Sequence, residues 1–386
     1  MQYKKTVLFG IFLIVVFMIG GTIGYGFDIN ARSAILMEAS TGKILYAQNE
    51  HHRVPPASVT KVMTMLLIME AVHNKRISWD DKIPTSANAA GMGGSQVYLK
   101  EGEEYPLREM FKAISVVSAN DASAAVAEYL YGSVEEFVAV MNKKGQELGL
   151  KDTHFANETG LPDPYHYSSA YDLAIISREL LKYPEVLKFT SIWLDNFRNG
   201  EFVLRNTNEL IKVYRGADGL KTGHTDEAKF CLSATAKKGD FRLLSVIMGA
   251  DSDPQRVSET KRLLDYGYRN YQWDMVEKAG ANVGEISLNS AQPRDIPVKI
   301  YSNLGVVVER GTDQLIKTRL IPKNNVKLPI RPGEAIASFE AIINGKVVGS
   351  TNGYSTIDVK QANFIVRWWR SFVGFIGHLF TFRVQK

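Results

Sequence analysis

The sequence predicts an α+β protein, with an antiparallel sheet flanked by helices, then a small all-β domain and a final helix. Short apolar runs typical of strands occur near the N-terminus and again after Gly219, whereas the segment between them has helical periodicity. Beyond about Trp273, short β-rich runs alternate with turns of glycine, proline and asparagine. This order of strands, helices and strands indicates an antiparallel sheet with helices packed on it.

Two hairpins and several helices account for the first part of the chain. The runs Ser33 to Met37 and Ile44 to Ala47 are apolar and are joined by a polar turn, which predicts the first hairpin. The second joins Phe230 to Ala236 and Phe241 to Gly249. Apolar residues recur at helical spacing in the remaining segments, which predicts helices over 57–72, 107–148, 170–181 and 254–268.

Length and composition fit a folded protein of two or three domains. The chain has 386 residues, of which 45% are hydrophobic and 23% are charged. The 46 basic residues nearly balance the 41 acidic ones and form no long run, so nothing indicates a nucleic-acid partner. Cys231 is the single cysteine, which excludes an internal disulfide and a cysteine-based zinc or iron–sulfur site. Its apolar neighbours predict a buried side chain.

Both ends of the chain indicate export and membrane association. Lys4 and Lys5 precede an uncharged apolar run, the pattern of an export signal, and this run is also long enough for an uncleaved anchor. From Phe364 to Lys386 the chain has two tryptophans, five phenylalanines and no acidic residue. Read as a helix, this segment has a narrow polar stripe with two arginines and is apolar elsewhere, which predicts binding at the membrane interface. The alternative is a helix docked on its own domain.

Three short motifs supply the residues that a serine nucleophile needs. Ser58 and Lys61 stand one helical turn apart, so they share a face, and a desolvated lysine beside other cations can act as a base. Ser118-Ala119-Asn120 follows in the helical middle, and Lys221-Thr222-Gly223 opens the second β section. Each motif alone has an ordinary structural explanation, such as a capping serine, a surface lysine or a tight turn.

In this order, the motifs S-x-x-K, S-x-N and K-T-G resemble the active-site motifs of penicillin-binding proteins and serine β-lactamases. Further segments are similar to those of the serine-type D-alanyl-D-alanine carboxypeptidases, the low-molecular-mass branch of the penicillin-binding proteins. These segments are 34–45, 55–61, 157–161, 166–170 and 219–225. The later β-rich section and the amphipathic tail also look like that family's C-terminal domain and membrane anchor, so the resemblance covers nearly the whole chain.

The resemblance implies a catalytic role for each residue that matches a family motif. Ser58 would attack the carbonyl between the two terminal D-alanines and become acylated, and Lys61 would take its proton. Ser118 and Lys221 would relay a proton to the nitrogen of the leaving D-alanine. Asn120 would hydrogen-bond the substrate amide and orient Lys61.

The resemblance also implies that Thr222, Gly223, His224 and Arg256 bind substrate. The backbone N–H groups of Ser58 and His224 would form the oxyanion hole, where preorganised donors stabilise the tetrahedral charge. The hydroxyl of Thr222 would face the terminal carboxylate of the substrate. Arg256 matches a family arginine near that carboxylate, and a guanidinium fork suits a carboxylate. The alternative for Arg256 is an arginine on the surface of a helix.

Together, these observations predict the organisation and setting of the chain. We expect a signal peptide or signal anchor over 1–27, a catalytic domain over 28–272, an all-β spacer or interaction domain over 273–358 and a membrane-associating helix over 359–386. The resemblance implies peptidoglycan pentapeptide stems as substrate, β-lactams as inhibitors, and a place on the outer face of the bacterial cytoplasmic membrane. No metal or organic cofactor is implied, because acyl transfer by serine needs only a base, a proton relay and oxyanion donors.

One departure from the family pattern concerns substrate binding. Some family members carry an arginine in an Asn-Arg-Asn setting before the third motif, where this chain has Asn206-Thr207-Asn208. The resemblance therefore supplies no second arginine for the substrate carboxylate at that position, although Arg205 and Arg215 are nearby.

Two other functions compete with the carboxypeptidase. A β-lactamase would use the same acylation, but no E-x-x-L-N segment of the kind that class A β-lactamases use lies between the second and third motifs. A catalytically silent wall-binding scaffold would have no need of the intact residues Ser58, Lys61, Ser118, Asn120 and Lys221. The predicted function is therefore a carboxypeptidase that removes terminal D-alanine in cell-wall biogenesis.

Overall fold

A computed structural model describes residues 27–366 together with 368 and 369. Nearly all of the predicted export segment and most of the predicted C-terminal helix lie outside the described residues. The backbone is helical at 364–366 and 368–369, where the side chains of Phe364, Ile365, Trp368 and Trp369 are exposed. Within the described ranges, no helix has the length and apolarity needed to cross a membrane.

The elements follow the order of strands, helices, strands and helix that the sequence predicts. In chain order, the strands are β1 (Ser33–Glu38), β2 (Ile44–Gln48), β3 (Lys82–Pro84), β4 (Glu104–Pro106), β5 (Leu194–Phe197), β6 (Phe202–Arg205), β7 (Ala217–Thr225), β8 (Lys229–Lys238), β9 (Phe241–Ala250), β10 (Tyr271–Glu277), β11 (Asn282–Ser287), β12 (Ala291–Gln292), β13 (Asp295–Ile300), β14 (Leu304–Glu309), β15 (Lys317–Pro322), β16 (Ala335–Ile343), β17 (Lys346–Ser355) and β18 (Lys360–Gln361). The α-helices are α1 (Lys61–His73), α2 (Ala87–Ala90), α3 (Leu107–Val116), α4 (Asn120–Tyr131), α5 (Val134–Glu147), α6 (Ala170–Leu180), α7 (Leu187–Thr190), α8 (Leu210–Val213) and α9 (Asp253–Asn270). Short 3₁₀ turns lie at Ala57–Thr60, Pro184–Val186 and Arg198–Gly200.

A five-stranded antiparallel sheet is the centre of the first domain. Its strand order is β2-β1-β9-β8-β7, and each neighbouring pair is antiparallel. Both predicted hairpins are confirmed, because β1 pairs with β2 and β8 pairs with β9. The third motif lies on β7, which is an edge strand of this sheet.

Helices cover both faces of this sheet. Successive side chains of a strand point to opposite faces. Ile35 and Met37 of β1 accordingly belong to one apolar core, which they share with α1 and α6. Ala34 and Leu36 belong to another, which they share with α9. Cys231 is buried on β8, as predicted. The sheet is therefore the middle layer between two sets of helices.

The predicted helical stretch 107–148 consists of three helices separated by two breaks. Ser118 lies in the first break with φ 66°, a left-handed conformation that a helix cannot continue through. Gly132 lies in the second with φ 87° and ends α4. The hydroxyl of Ser133 then caps α5 by accepting a hydrogen bond from the N–H of Glu136. Apolar spacing continues across both breaks, so periodicity alone did not locate them.

The second domain is built from strands. Its five-stranded sheet has the order β11-β13-β17-β16-β15, and two small pairs, β10–β14 and β12–β18, complete it. β10 begins at Tyr271, slightly before the predicted start at 273. The helix expected from 359 onward does not begin there, because Lys360 and Gln361 pair with β12. β structure thus extends past the predicted end at 358.

We expect Gly267→Ala to destabilise the first domain although alanine favours helices. A Cβ at Gly267 of α9 would lie 2.6 Å from Cδ1 of Leu243 and 2.7 Å from Cδ2 of Leu36, both fully buried. Overpacking of this kind costs about 1–3 kcal/mol, which exceeds the gain of about 0.5–1 kcal/mol from helix propensity. The midpoint of denaturant unfolding should therefore fall.

Gly145→Ala in α5 is the matched control for that measurement. Its nearest atom would be Cδ1 of Leu150 at 3.5 Å, an ordinary contact. This variant should unfold at the same or a higher denaturant concentration. Equal stabilisation by both substitutions would contradict the tight packing of α9 on the sheet.

Candidate active site

The nucleophile segment lies directly against the strand that carries the third motif. Ser58 is in the 3₁₀ turn that precedes α1, and it is partly exposed. A Cβ at Gly223 of β7 would lie 2.7 Å from the carbonyl oxygen of Pro56 and 3.0 Å from the backbone nitrogen of Ser58. The glycine of K-T-G is therefore required for this close approach. The sequence predicted Ser58 at the start of a helix, and the structure places this residue in the 3₁₀ turn that precedes α1.

Lys61 joins the first two motifs through hydrogen bonds. Its Nζ lies 3.1 Å from Oγ of Ser58, 2.6 Å from Oδ1 of Asn120 and 2.8 Å from the carbonyl oxygen of Thr159. The side-chain amide of Asn120 also donates to the carbonyl of Gly93 at 2.6 Å, which fixes its orientation. Asn120 thus contacts Lys61 directly, and its role in orienting the lysine and binding the substrate amide remains a prediction. The acceptor carbonyl of Thr159 was not predicted, because a backbone oxygen carries no sequence signal.

Burial is the main cause of an unusual protonation equilibrium at Lys61. The side chain is fully buried, and desolvation lowers its pKa to about 7, whereas the nearby Glu158 and Asp121 act in the opposite direction. At neutral pH a large fraction of Lys61 is thus neutral. A neutral amine has two N–H donors and one lone pair. It can donate to Asn120 and Thr159 and accept the proton of Ser58.

The loop that supplies the Thr159 carbonyl is held by its own side chains. The carbonyl-type Oδ1 of Asn157 accepts from the backbone N–H groups of Gly160 at 2.7 Å and Leu161 at 3.1 Å. Gly160 has φ 84°, and a Cβ there would lie 1.8 Å from the carbonyl oxygen of Ala57. Only glycine permits this approach to the nucleophile segment.

His166 connects the same loop to the first motif. Its Nδ1 accepts the N–H of Ala156 at 3.1 Å, so Nε2 carries the proton of the neutral ring and donates to Oγ1 of Thr60 at 2.7 Å. Burial lowers the pKa of His166 to about 4, so the ring is neutral at physiological pH. The segment 166–170 was noted in the sequence only for its resemblance, and the structure gives His166 this positioning contact.

Ser118 and Lys221 both lie at the site, but they are not hydrogen-bonded to each other. Oγ of Ser118 is buried and has no hydrogen-bond partner among the described residues. Nζ of Lys221 donates to the carbonyl oxygen of Thr222 at 3.0 Å. Burial, Lys61 and Arg256 hold the pKa of Lys221 well below its usual range. The predicted relay therefore remains a prediction, although both side chains are inside the site without an acidic partner among the described residues.

The site opens into a cleft of about 450 Å³ between β7, the turn of Ser118 and the N-terminus of α9. The sequence-predicted residues that line it are Ser58, Ser118, Thr222, Gly223, His224 and Arg256. Lys61, Asn120 and Lys221 are buried behind this surface. The structure thus brings all nine predicted residues to one place.

Arg256 is buried against the strands and is not the surface arginine that the sequence left open. Its side chain donates to the carbonyl oxygens of Gly223 and Cys231, each at 3.3 Å, and to that of Thr207 at 3.4 Å. Its Nη2 lies 2.6 Å from Oδ1 of Asp253. Nε of Arg256 has no hydrogen-bond partner within the described part of the chain. A cation that lines a cleft favours an anionic group there.

Around this arginine, the cleft wall combines hydroxyl groups with a second cation. Oγ1 of Thr222 lies 2.6 Å from Oγ1 of Thr207, the residue at the departure from the family pattern. Arg205 also lines the cleft, whereas Arg215 does not. His224 is exposed, and its ring packs 4.1 Å from that of Phe230, so its side chain forms part of the rim.

Glu158 is a site residue that the sequence analysis missed. Its carboxyl group is almost fully buried, Oε1 has no hydrogen-bond partner among the described residues, and burial raises its pKa. It lies close enough to Lys61 to affect the lysine's protonation. The only signal was its place in the N-E-T-G-L segment, and nothing in that pattern indicates a buried acid.

Comparisons with known proteins cover both domains. A family model described as D-alanyl-D-alanine carboxypeptidase, Peptidase_S11, matches residues 22–252. A model described as penicillin-binding protein 5, C-terminal domain, matches residues 271–361. The D-alanyl-D-alanine carboxypeptidase DacF of Bacillus subtilis (strain 168) is 43% identical over 339 residues, which are 87% of each chain.

Solved structures give the same assignment. Penicillin binding protein 5 from Haemophilus influenzae superposes with a TM-score of 0.70 and 31% identity, covering 86% of this chain and 98% of that one. Penicillin-Binding Protein D2 from Listeria monocytogenes, in its ampicillin-bound form, gives a TM-score of 0.58 and 32% identity over 63% of this chain and 99% of that one. The family models match both the catalytic domain and the β domain. This chain therefore belongs to the D-alanyl-D-alanine carboxypeptidase family, Peptidase_S11, and is a serine-type hydrolase with the fold of the low-molecular-mass penicillin-binding proteins.

Proposed function

We propose that this enzyme removes the terminal D-alanine from peptidoglycan pentapeptide stems through an acyl-enzyme on Ser58. The observation that carries the proposal is the 3.1 Å contact between Oγ of Ser58 and the buried Nζ of Lys61. A serine becomes a nucleophile when an adjacent base takes its proton, and an amine with a pKa near 7 is suited to that task. The carboxypeptidase names of the relatives support the substrate class.

In the first step, Oγ of Ser58 attacks the carbonyl carbon of the penultimate D-alanine while its proton passes to Lys61. The backbone N–H groups of Ser58 and His224 are proposed as the oxyanion donors. The tetrahedral adduct collapses when the C–N bond breaks and the leaving nitrogen takes up a proton, for which Ser118 and Lys221 are the proposed carriers. Water then hydrolyses the ester and regenerates Ser58.

The terminal carboxylate of the substrate is assigned to the wall formed by Thr222 and Arg256. Thr222 and Arg256 both line this wall, and the guanidinium group of Arg256 supplies a positive charge beside the hydroxyl of Thr222. Arg205 at the same wall supplies a second positive charge. An anionic peptide end is favoured by charge-assisted hydrogen bonds to such donors.

β-Lactam binding belongs to the same proposal. A β-lactam presents a reactive carbonyl and a carboxylate, so Ser58 and Arg256 would meet the same groups as in the peptide. The ampicillin-bound form of the Listeria monocytogenes relative supports this expectation.

The setting that we propose is the outer face of the bacterial cytoplasmic membrane, in cell-wall biogenesis. The apolar run after Lys5 supports export, and the basic and aromatic C-terminal segment supports attachment. The exposed Phe364, Ile365, Trp368 and Trp369 are consistent with a surface that contacts lipid. We propose a catalytic domain that begins near residue 28 and ends with α9, and a β domain that runs from β10 to β18.

Acylation of Ser58 is tested by intact-mass measurement with benzylpenicillin. We expect a lasting mass increase of one penicillin in the wild type and none in Ser58→Ala, because the variant has no nucleophilic oxygen. Ser95→Ala, which alters another serine that lines the cleft, is the matched control and should keep the adduct. Rapid penicillin loss without an adduct would indicate a β-lactamase, and a folded protein with neither adduct nor turnover would refute both enzymes.

The rate of penicillin acylation should rise with pH through about pH 7. Below the lowered pKa of Lys61, the amine is protonated and cannot accept the proton of Ser58, whereas above it the neutral form is available. Glu158→Gln should move this midpoint to lower pH, because the neighbouring carboxyl group raises the pKa of Lys61. Glu179→Gln on α6, where the partly buried carboxylate is paired with Lys182, should leave the midpoint unchanged. A flat rate between about pH 6 and 8 would show that Lys61 is not the base.

A further inference from the structure

Two consecutive carbonyl groups of the loop 157–161 accept hydrogen bonds from side chains of α1. Nζ of Lys61 donates to the carbonyl oxygen of Thr159 at 2.8 Å, and Oγ1 of Thr64 donates to that of Glu158 at 2.7 Å. Both hydrogen bonds are buried. Lys61 and Thr64 are about one helical turn apart, so they lie on the same face of the helix. The loop is therefore attached to that face at two adjacent residues.

Thr64 is a polar residue in an apolar stretch of α1. Residues 62–69 are apolar apart from this threonine, and its side chain is fully buried. A buried hydroxyl costs free energy unless it is hydrogen-bonded. A valine has nearly the same shape and would avoid that cost. Packing alone therefore gives no reason for a threonine at this position, whereas the hydrogen bond to the loop does.

Other contacts hold the shape of the loop without fixing its distance from Lys61. Oδ1 of Asn157 accepts from the N–H of Gly160, which belongs to the same peptide group as the carbonyl of Thr159. Asn157 is part of the loop, so this hydrogen bond moves with it. The hydrogen bond from Thr64 comes from α1, the helix that also carries Lys61. It therefore determines where the loop lies relative to the lysine.

The charged groups near Lys61 do not replace the loop carbonyl as a hydrogen-bond acceptor. Glu158 and Asp121 raise the pKa of Lys61. A positive charge on Lys61 in turn lowers the pKa of Lys221 and His166. Within the part of the chain that the structure describes, none of these four side chains is hydrogen-bonded to Nζ of Lys61. The ammonium form consequently depends on the neutral oxygens around it.

We propose that Thr64 is a positioning residue for acylation, whose hydrogen bond to the loop keeps the Thr159 carbonyl within reach of Lys61. The proposal rests on the proposed function, in which Lys61 takes the proton of Ser58. Without this hydrogen bond, the loop moves away and the amine keeps only its other two acceptors. The ammonium form then loses more than the neutral amine, because hydrogen bonds from charged donors are the stronger ones.

The test separates the hydroxyl of Thr64 from its volume. Thr64→Val keeps the shape and removes the hydroxyl, whereas Thr64→Ser keeps the hydroxyl and removes a methyl group. Thr85→Val is the matched control, because Thr85 is also buried but its Oγ1 has no hydrogen-bond partner among the described residues. Thr85 does not line the catalytic cleft. Each variant is made in the full-length protein in detergent, and its folding is checked by denaturant unfolding.

The protonation of Lys61 is measured directly by NMR of protein that is isotope-labelled at lysine Cε, and Lys61→Met assigns the resonance. We expect Thr64→Val to lower the midpoint of this titration by about half a pH unit or more, because the ammonium form loses an acceptor. Thr64→Ser and Thr85→Val should titrate like the wild type.

Penicillin acylation of the same variants gives a second readout. The pH profile of Thr64→Val should move to lower pH with the midpoint of Lys61. Its plateau at higher pH should fall at least about threefold, because the amine is less well placed beside Ser58. A purely structural defect would lower the whole profile without moving it along the pH axis.

The inference is overturned if Lys61 in Thr64→Val titrates at or above the wild-type midpoint, or if Thr64→Ser shifts the midpoint as far as Thr64→Val does. Where Thr64→Val does not fold, Thr64→Ala compared with Thr64→Ser gives the same test of the hydroxyl. An unchanged midpoint beside normal acylation of the wild type would refute the role of Thr64 alone. A shifted midpoint in a protein that penicillin does not acylate would refute the acyl-enzyme alone.

Discussion

The full burial of Lys61 is the constraint on which the rest of the site depends. Removing an ammonium group from water costs free energy. Among the described residues, Nζ of Lys61 has hydrogen-bond partners at only three neutral oxygens, those of Ser58, Asn120 and Thr159. These acceptors are enough to hold the side chain, but they do not replace the hydration of a full charge, which is why the pKa falls to about 7. The three oxygens come from the nucleophile turn, the start of α4 and the loop 157–161. Much of the fold therefore serves to bring three distant segments around one amine.

The layered fold could be predicted because its main elements are specified locally. Apolar alternation and turn residues define the hairpins, and helical periodicity defines α1, α6 and α9 closely. The breaks at Ser118 and Gly132 could not be found in this way, since they depend on backbone conformations that the apolar spacing does not record. The strand at Lys360 and Gln361 could not be predicted for a different reason. It pairs with β12 through a long-range contact, and each of the two strands has only two residues.

The part of the site that consists of motif side chains could be predicted, because the three motifs occur in a recognisable order in the sequence. Ser58, Lys61, Asn120 and the K-T-G strand come together as expected, and Gly223 is explained by the close approach of β7 to Pro56. The Thr159 carbonyl, the neutral His166 and the buried Glu158 were not predictable, because their roles follow from burial and from tertiary contacts. Every residue has a backbone oxygen, so residue type does not indicate which one accepts a hydrogen bond.

Thr207, the residue at the departure from the family pattern, contacts two residues of the cleft wall. A threonine there cannot supply a charge, but its hydroxyl pairs with that of Thr222 and its carbonyl accepts from Arg256. Arg256 is the buried cation of the wall, held by carbonyls of Gly223 and Cys231 as well, while Arg205 lies at the exposed edge beside Glu209. Each arginine is paired with a carboxylate, Arg256 with Asp253 and Arg205 with Glu209, but a buried, fixed cation interacts more strongly with a further carboxylate than an exposed one. In the proposed function, the buried Arg256 is therefore the main partner of an anionic peptide end on this wall.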